Sequence, residues 1–141
     1  MTSGKFIVIE GIDGAGTTTQ ARVLVDWLVA QGMRAVLTCE PTAGPVGATL
    51  RQILAGRSVV RLPDKSIRPV HNDVISLLFA ADRLDHLDSQ ILPLLEAGSQ
   101  VVSDRYYHSS FTYQALAGDL DWIQTLNARA RRPDLTFLID L

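Results

Sequence analysis

A glycine-rich turn follows the first apolar segment of the chain. It consists of eight residues: Gly11, Ile12, Asp13, Gly14, Ala15, Gly16, Thr17 and Thr18. They match the phosphate-loop pattern G-x-x-x-x-G-K-[ST] at every position except Thr17, which stands where the pattern has lysine. The glycines let the backbone curl with its N–H groups inward, and the helix that follows adds its positive N-terminal end. We therefore expect these eight residues to bind a nucleotide's phosphates.

The two threonines that end this turn have different expected roles. Thr18 can offer its hydroxyl to Mg²⁺. Thr17 supplies no positive charge for the β- and γ-phosphates; because a charge-assisted hydrogen bond contributes ~1.5–3 kcal/mol, this loss would be roughly one or two decades in affinity or rate. The dinucleotide pattern G-x-G-x-x-G fails, since residue 19 is threonine. A tight turn without a ligand is the alternative, and three glycines with two hydroxyls make it the weaker one.

Polar residues also stand at the ends of the other apolar segments. Glu10, Glu40, Asp104 and Asp140 each follow or end such a segment, and Arg105 comes next to Asp104. Ligands of open parallel sheets bind beyond the carboxyl ends of the strands, so these residues are expected to converge. Asp104 suits the shell of Mg²⁺, and Arg105 suits a phosphate group. The alternative for this last pair is an ion pair that caps a helix.

An aromatic ring and a guanidinium are expected on one helical face. Phe79 and Arg83 are four residues apart in a helical pattern, so they could stack a base and hold its edge or phosphate. Phe79 in the core with Arg83 at its rim is the alternative. Tyr113 lies about two helical turns past Arg105 and is expected to point into the same cleft. The histidines lack metal-ligand spacing and are expected at the surface or as helix caps: His71, His86 and His108.

The elements that must position these residues alternate along the chain between strand patterns and helix patterns. Strands are predicted at 6–9, 34–39, 100–104 and 135–140, and helices at 18–31, 46–55, 69–86 and 88–97, with residues 107–132 mostly helical and 56–68 a surface loop. Strands that alternate with helices indicate an α/β fold, a parallel sheet with helices on both faces.

Length and composition restrict the class of protein. The 141 residues suit one domain, and 13 basic against 15 acidic side chains give a net charge of −2. Binding to nucleic acid or to an anionic membrane is therefore not expected. The single cysteine, Cys39, and the lack of a long apolar segment fit a cytoplasmic protein. The apolar strand at 135–140 needs a cover, which a neighbouring chain or a longer protein would provide; we favour the latter.

The order of these motifs resembles the thymidylate (dTMP) kinase family, whose members are nucleoside monophosphate kinases with a three-layer P-loop NTPase fold. The resemblance covers Lys5 to Leu141. It rests on the glycine-rich turn, Glu40-Pro41, Phe79 with Arg83, Asp104-Arg105-Tyr106 and Arg132-Pro133-Asp134-Leu135-Thr136. It implies a homodimeric enzyme that transfers the γ-phosphate of ATP to dTMP with Mg²⁺ and yields dTDP. The family continues past residue 141 into its lid, last strand and adenine contacts, so residues 1–141 match the first portion of a longer domain.

The resemblance also implies a role for individual residues. Asp13 and Arg105 are the expected catalytic residues, because they match those near the acceptor phosphate. Thr18 and Asp104 match the family's residues beside the bound metal ion. Phe79 matches the ring that stacks on thymine. The implied dTMP-binding set is Asp13, Glu40, Phe79, Arg83, Arg105, Ser110, Tyr113 and Gln114. An impaired or incomplete kinase-like module that binds nucleotides without transfer, and a kinase for another acceptor, remain the alternatives.

Overall fold

Four parallel strands form the main sheet of this protein, for which a computed structural model describes residues 2–140. They are β1 (Phe6–Gly11), β2 (Ala35–Cys39), β5 (Gln100–Asp104) and β6 (Leu135–Ile139). Their order across the sheet is β2-β5-β1-β6. Asp104 pairs with Ile9 on one side and with Cys39 on the other. The carboxyl ends of β1, β2 and β5 therefore meet at one edge, as the sequence predicts.

Helices cover both faces of this sheet. They are α1 (Thr17–Ala30), α2 (Pro45–Leu54), α3 (Asn72–His86), α4 (Leu92–Glu96), α5 (Tyr107–Tyr113) and α6 (Leu120–Leu126). A two-stranded antiparallel hairpin, β3 (Val60–Arg61) with β4 (Ile67–Arg68), lies between α2 and α3. Within residues 2–140, no helix combines the length and the apolar content that a membrane crossing requires.

The buried side chains of β1 divide the core into two layers. Phe6 and Val8 pack with Ile91 on one face, where α3 and α4 lie. Ile7 and Ile9 pack with residues of α1 on the other face. Successive side chains of a strand point to opposite faces, so an uninterrupted apolar strand is what a sheet covered on both faces needs. The expected three-layer α/β fold is confirmed.

One long helical segment replaces the two helices predicted at 69–86 and 88–97. α3 continues through a π-helical turn, Leu87–Ile91, directly into α4. The wider turn comes just before Pro93, whose ring nitrogen cannot donate a helical hydrogen bond. The prediction that Pro69 starts the helix is wrong. His71 precedes the first turn instead, and its Nδ1 accepts a hydrogen bond from the Asp73 N–H at 3.1 Å.

Other departures from the predicted elements are local. Within the predicted surface loop at 56–68, residues 60–68 form the short hairpin, and the helical region at 107–132 is reduced to α5 and α6. Asp119 begins α6 by accepting the Asp121 N–H at 2.9 Å. Trp27 of α1 is 55% exposed. β6 pairs with β1 alone among the described strands, and its Leu138 is 75% exposed.

Candidate active site

The glycine-rich turn forms a concave loop between β1 and α1. Gly14 has a φ of 82° and Gly16 a φ of 89°, a left-handed region that side chains rarely adopt. The Ala15 N–H closes the turn by donating to the Ile12 carbonyl at 3.1 Å. The first amides of α1 have no intrahelical acceptor, as at any helix start. The loop can therefore present several N–H groups and a helix end to one anion.

Thr17 lies at the base of this loop. Its side chain is buried, and its Cγ2 is 2.9 Å from the point that a Cβ on Gly11 would occupy. The methyl group of Thr17 thus fills space beneath the loop. A longer side chain at this position would have to extend away from Gly11, towards the concave side.

Thr18 and Asp104 meet at the carboxyl end of β5. The Thr18 hydroxyl donates to Asp104 Oδ2 at 2.5 Å, while the buried Oδ1 has no hydrogen-bond partner among residues 2–140. A hydroxyl beside a carboxylate with an unused oxygen fits Mg²⁺, which prefers oxygen ligands. Across the same residues, no group of three His, Cys, Asp or Glu side chains could hold a metal ion. A magnesium ion here would therefore also need oxygen ligands from phosphate groups or water.

Arg105 connects the glycine-rich turn to α5. Its Nη2 lies 2.8 Å from Asp13 Oδ1, and its Nη1 donates to Ser109 Oγ at 3.2 Å. The guanidinium also stands over the Tyr113 ring, 5.5 Å from its centroid. The backbone of Arg105 has a φ of 72°, unusual for a residue with a side chain. Such strain is concentrated at functional sites, where surrounding contacts maintain it.

Glu10 provides one of those surrounding contacts. Its Oε1 accepts the Tyr106 N–H at 2.8 Å and its Oε2 accepts the Ser109 hydroxyl at 2.7 Å. Burial raises the pKa of Glu10, and these hydrogen bonds partly oppose that rise. The carboxylate that the sequence placed among ligand-facing groups therefore anchors the segment around Arg105.

A buried polar network joins β2 to α3. Glu40 Oε2 accepts from Arg83 Nε at 2.8 Å and lies 2.7 Å from its Nη2. The Nη1 of Arg83 donates to Ser110 Oγ at 3.2 Å and to Asn127 Oδ1. Glu40 Oε1 is 3.0 Å from Nδ1 of His86. All of these side chains are buried. A buried charge or hydrogen-bond donor that lacks a partner destabilises the folded state, so each of these contacts contributes to stability.

Two of the three histidines differ from the expected surface or capping positions. His86 is 1% exposed, because it follows Arg83 on the inner face of α3. His108 is half-buried, with Nδ1 3.7 Å from Glu10 Oε1. Burial and, to a lesser degree, the charge of Arg83 lower the pKa of His108. His71 is the cap that the sequence suggested.

A cavity of about 340 Å³ opens beside the glycine-rich turn. Seven of the predicted acceptor residues line it: Asp13, Glu40, Phe79, Arg83, Arg105, Tyr113 and Gln114. Ser110 lies behind the cavity wall, where it holds Arg83. Gln114 is buried, and its Oε1 has no hydrogen-bond partner within the described residues. The structure thus brings together residues that lie up to a hundred positions apart in the chain.

Sequence reasoning missed two polar residues of this region. Ser109 hydrogen-bonds both Arg105 and Glu10, and its place one turn past Arg105 could have indicated it. Asn127 accepts from Arg83 and donates to the Ile123 carbonyl at 2.8 Å. Nothing in the sequence near Asn127 signals this contact, because it depends on how α6 ends.

Comparison with known proteins identifies the family. A family model described as thymidylate kinase matches residues 9–141. The chain belongs to the thymidylate kinase family. The "Probable thymidylate kinase" of Thermococcus kodakarensis is 46% identical over 137 residues, which are 96% of this chain and 66% of that protein. Its counterpart in Pyrococcus horikoshii is 45% identical over 139 residues, 98% of this chain and 65% of that protein.

Solved structures agree with this thymidylate kinase assignment. The crystal structure of thymidylate kinase from Ehrlichia chaffeensis superposes with a TM-score of 0.82 at 30% identity, covering 99% of this chain and 73% of that one. The chain spans just under two thirds of the curated thymidylate kinases named above, 66% and 65% of their lengths. The P-loop fold expected from the sequence is thereby confirmed.

Proposed function

We propose that this chain contains the acceptor site and the phosphate loop of a dTMP kinase, which transfers the γ-phosphoryl group of ATP to dTMP and yields dTDP. One observation carries the proposal: Asp13 belongs to the glycine-rich turn and also lines the 340 Å³ cavity, where it pairs with Arg105. An acceptor in the cavity would have its phosphate next to the turn. Phosphoryl transfer depends mainly on such alignment and on charge neutralisation.

The inner end of the cavity suits a thymine base. Phe79 offers a ring for stacking, and the free Oε1 of Gln114 can accept a hydrogen bond from the thymine N3–H. Arg83 donates its Nε–H to Glu40 and both Nη1–H groups to Ser110 and Asn127, while its Nη2 lies 2.7 Å from the Glu40 carboxylate. Nη2 carries two hydrogens, so it can also donate to a carbonyl such as O4 of thymine. Cytosine presents the opposite donor and acceptor pattern at these two positions, so we expect it to bind less well.

The outer end of the cavity suits the acceptor phosphate. The guanidinium of Arg105 is 21% exposed, and phosphate oxygens could replace or join its contact with Asp13. We assign the binding of ATP phosphates to residues 11–18. Mg²⁺, held by Thr18 and Asp104 together with phosphate oxygens, would neutralise part of the charge that develops during transfer.

A homodimer in the cytoplasm is part of this proposal. The outer face of α3 exposes apolar side chains at a spacing of three and four residues: Val74, Leu77, Ala81 and Leu84. Such a stripe suits packing against the same helix of a second copy. Cys39 is an exposed free thiol, which fits a reducing compartment.

ADP release with ATP, Mg²⁺ and a series of acceptors tests the function. We expect turnover with dTMP, less with dUMP, which lacks the 5-methyl group, and background rates with dCMP and AMP. Calorimetry on the same samples measures dTMP binding independently of transfer. Binding without turnover would identify a nucleotide-binding module instead. Equal rates with AMP and dTMP would contradict the assignment of the base site.

A further inference from the structure

His86 lies just outside the cavity and joins α3 to β2 and to the loop that follows β2. It ends α3, is 1% exposed and does not line the cavity itself. Its Nδ1 is 3.0 Å from Glu40 Oε1, beyond the end of β2. Its Nε2 is 2.6 Å from the hydroxyl oxygen of Thr38, inside β2. The ring therefore has a partner on each nitrogen, one of them a residue of the cavity wall.

The partner atoms fix which nitrogen carries a proton. An ionised carboxylate only accepts hydrogen bonds, so Nδ1 of His86 must donate to Glu40. That leaves the other carboxylate oxygen, Oε2, for the two nitrogens of Arg83 at 2.8 and 2.7 Å. The imidazole and the guanidinium thus divide the carboxylate between them. If the imidazole contact were lost, Oε1 would be buried without a partner and Arg83 alone would hold the Glu40 carboxylate.

We propose that His86 is a positioning residue for the acceptor cavity, holding Glu40 so that Arg83 keeps its Nη2 towards the bound base. This inference rests on the proposed function, because the base it serves is that of dTMP. The orientation of Arg83 depends on Glu40 for two of its N–H contacts and on Ser110 and Asn127 for the others. His86 acts on the first pair only. Its removal should therefore tilt the guanidinium rather than release it.

A second set of hydrogen bonds, which does not involve His86, attaches the loop after Glu40 to α3. Asp82, also buried on α3, accepts the backbone N–H of Thr42 at 2.8 Å and its hydroxyl at 2.6 Å. These contacts anchor the loop after Glu40 without touching the Glu40 carboxylate. The backbone of the loop stays attached to α3 when His86 is replaced, so the change falls on the Glu40 side chain.

Three substitutions of His86 test the proposal through ligand affinities measured by calorimetry. His86→Leu removes both hydrogen bonds, and we expect dTMP affinity to fall at least about tenfold with Mg-ATP affinity within about twofold. His86→Asn places an amide N–H near the position of Nδ1 and should restore dTMP affinity to within about threefold of the original. His86→Gln places its amide near Nε2, on the Thr38 side, and should behave like His86→Leu.

A spectroscopic measurement separates positioning from general stability. The Nε–H of Arg83 should give a shifted, slowly exchanging ¹⁵N resonance that moves when dTMP is added. His86→Leu should broaden or displace this resonance before any ligand is present, while His86→Asn should retain it. Thr38→Val, which removes the contact on the other side of the ring, serves as the matched control and should leave dTMP affinity within about threefold.

The outcomes distinguish this inference from the proposed function. If the original protein does not bind dTMP, the function itself is wrong. If it binds dTMP but His86→Leu binds it equally well, only the positioning role is overturned. Equal losses for dTMP and Mg-ATP in His86→Leu, or no difference between His86→Asn and His86→Gln, would also contradict it, because a purely structural histidine predicts those results.

Discussion

The guanidinium of Arg105 stands between the glycine-rich turn and the 340 Å³ cavity, which we propose to bind the acceptor. It contacts Asp13 on the loop, Ser109 on α5 and the ring of Tyr113. Because Ser109 is itself held by Glu10, the arginine is linked to the end of β1 by both its side chain and its backbone. A residue with so many independent contacts can bind one phosphate in a fixed place.

Arg105→Ala is expected to weaken dTMP binding by roughly tenfold to a hundredfold, the equivalent of ~1.5–3 kcal/mol for hydrogen bonds to a charged group. ATP binding should change far less, since the guanidinium faces the acceptor cavity. Calorimetric titration with each nucleotide measures both affinities. Arg131→Ala removes an arginine that lies away from the cavity lining and serves as the control. Equal losses for dTMP and ATP would contradict the acceptor role.

Thr17→Lys is expected to tighten ATP binding by up to about tenfold to a hundredfold. The added ammonium would reach the concave side of the loop, where phosphates carry negative charge. Thr17→Met gives a side chain of similar length without charge and should weaken binding, because it only displaces the packing against Gly11. If both variants bind ATP as the original does, residues 11–18 do not form a phosphate site.

Glu10 should make the folded state respond to pH. Burial raises its pKa in the folded state, so between the ordinary value of 4.5 and the raised value the folded form binds more protons than the unfolded form. The free energy of unfolding should therefore fall as pH rises through this interval. Glu10→Gln cannot titrate at this position, so the stability difference between the original and this variant should shrink as the pH rises above 4.5 through the raised pKa of Glu10. A constant difference in thermal unfolding would rule out this titration.

At the scale of elements, α3 has two faces with separate uses. The inner face places Phe79, Arg83 and His86 at or behind the cavity, and the outer face exposes the apolar stripe that contains Leu77. The two sets lie on opposite sides of the helix because 3.6 residues complete a turn. Packing on the outer face would therefore stabilise the helix that carries the base site.

Leu77→Glu is expected to convert the proposed homodimer into a monomer, since it places a charge at the centre of the exposed stripe. Analytical ultracentrifugation measures the change in mass. Leu54→Glu alters an apolar residue that is exposed to a similar extent, 54% against 48%, and lies outside the stripe. It should leave the mass unchanged. A monomeric original protein, or a dimer that survives Leu77→Glu, would contradict the proposed surface.

The elements themselves were largely predictable, and their contacts were not. Apolar strands and the 3.6-residue period of α1 and α3 are local signals, so their positions followed from the sequence. The glycines of residues 11–16 are also a local signal, so the position of the glycine-rich turn was predictable as well. The π turn at Leu87–Ile91 has no such signal, and it merges two predicted helices. His86 and Asn127 acquired their partners only through the packing of distant segments, which no local pattern encodes.

At the scale of the whole molecule, the site gathers residues from β1, β2, β5, α3 and α5 around one edge of the sheet. Ligands that bind there should therefore stabilise the entire domain. At a dTMP concentration one hundred times its dissociation constant, the gain is about 2.7 kcal/mol, or a rise of about 8 °C in Tm. Thermal unfolding with dTMP, and with deoxycytidine monophosphate as the control, measures it. An unchanged Tm with dTMP would contradict binding in the cavity.

The left-handed backbone of Arg105 implies a trade-off between backbone stability and the position of the guanidinium. A side chain at a φ of 72° costs about 1–2 kcal/mol that glycine does not incur. Arg105→Gly and Arg105→Ala lose the same guanidinium, yet the glycine variant should unfold at the higher temperature. Arg105 thus holds a backbone conformation that glycine would adopt more easily, and its contacts with Asp13, Ser109 and Tyr113 offset part of that cost.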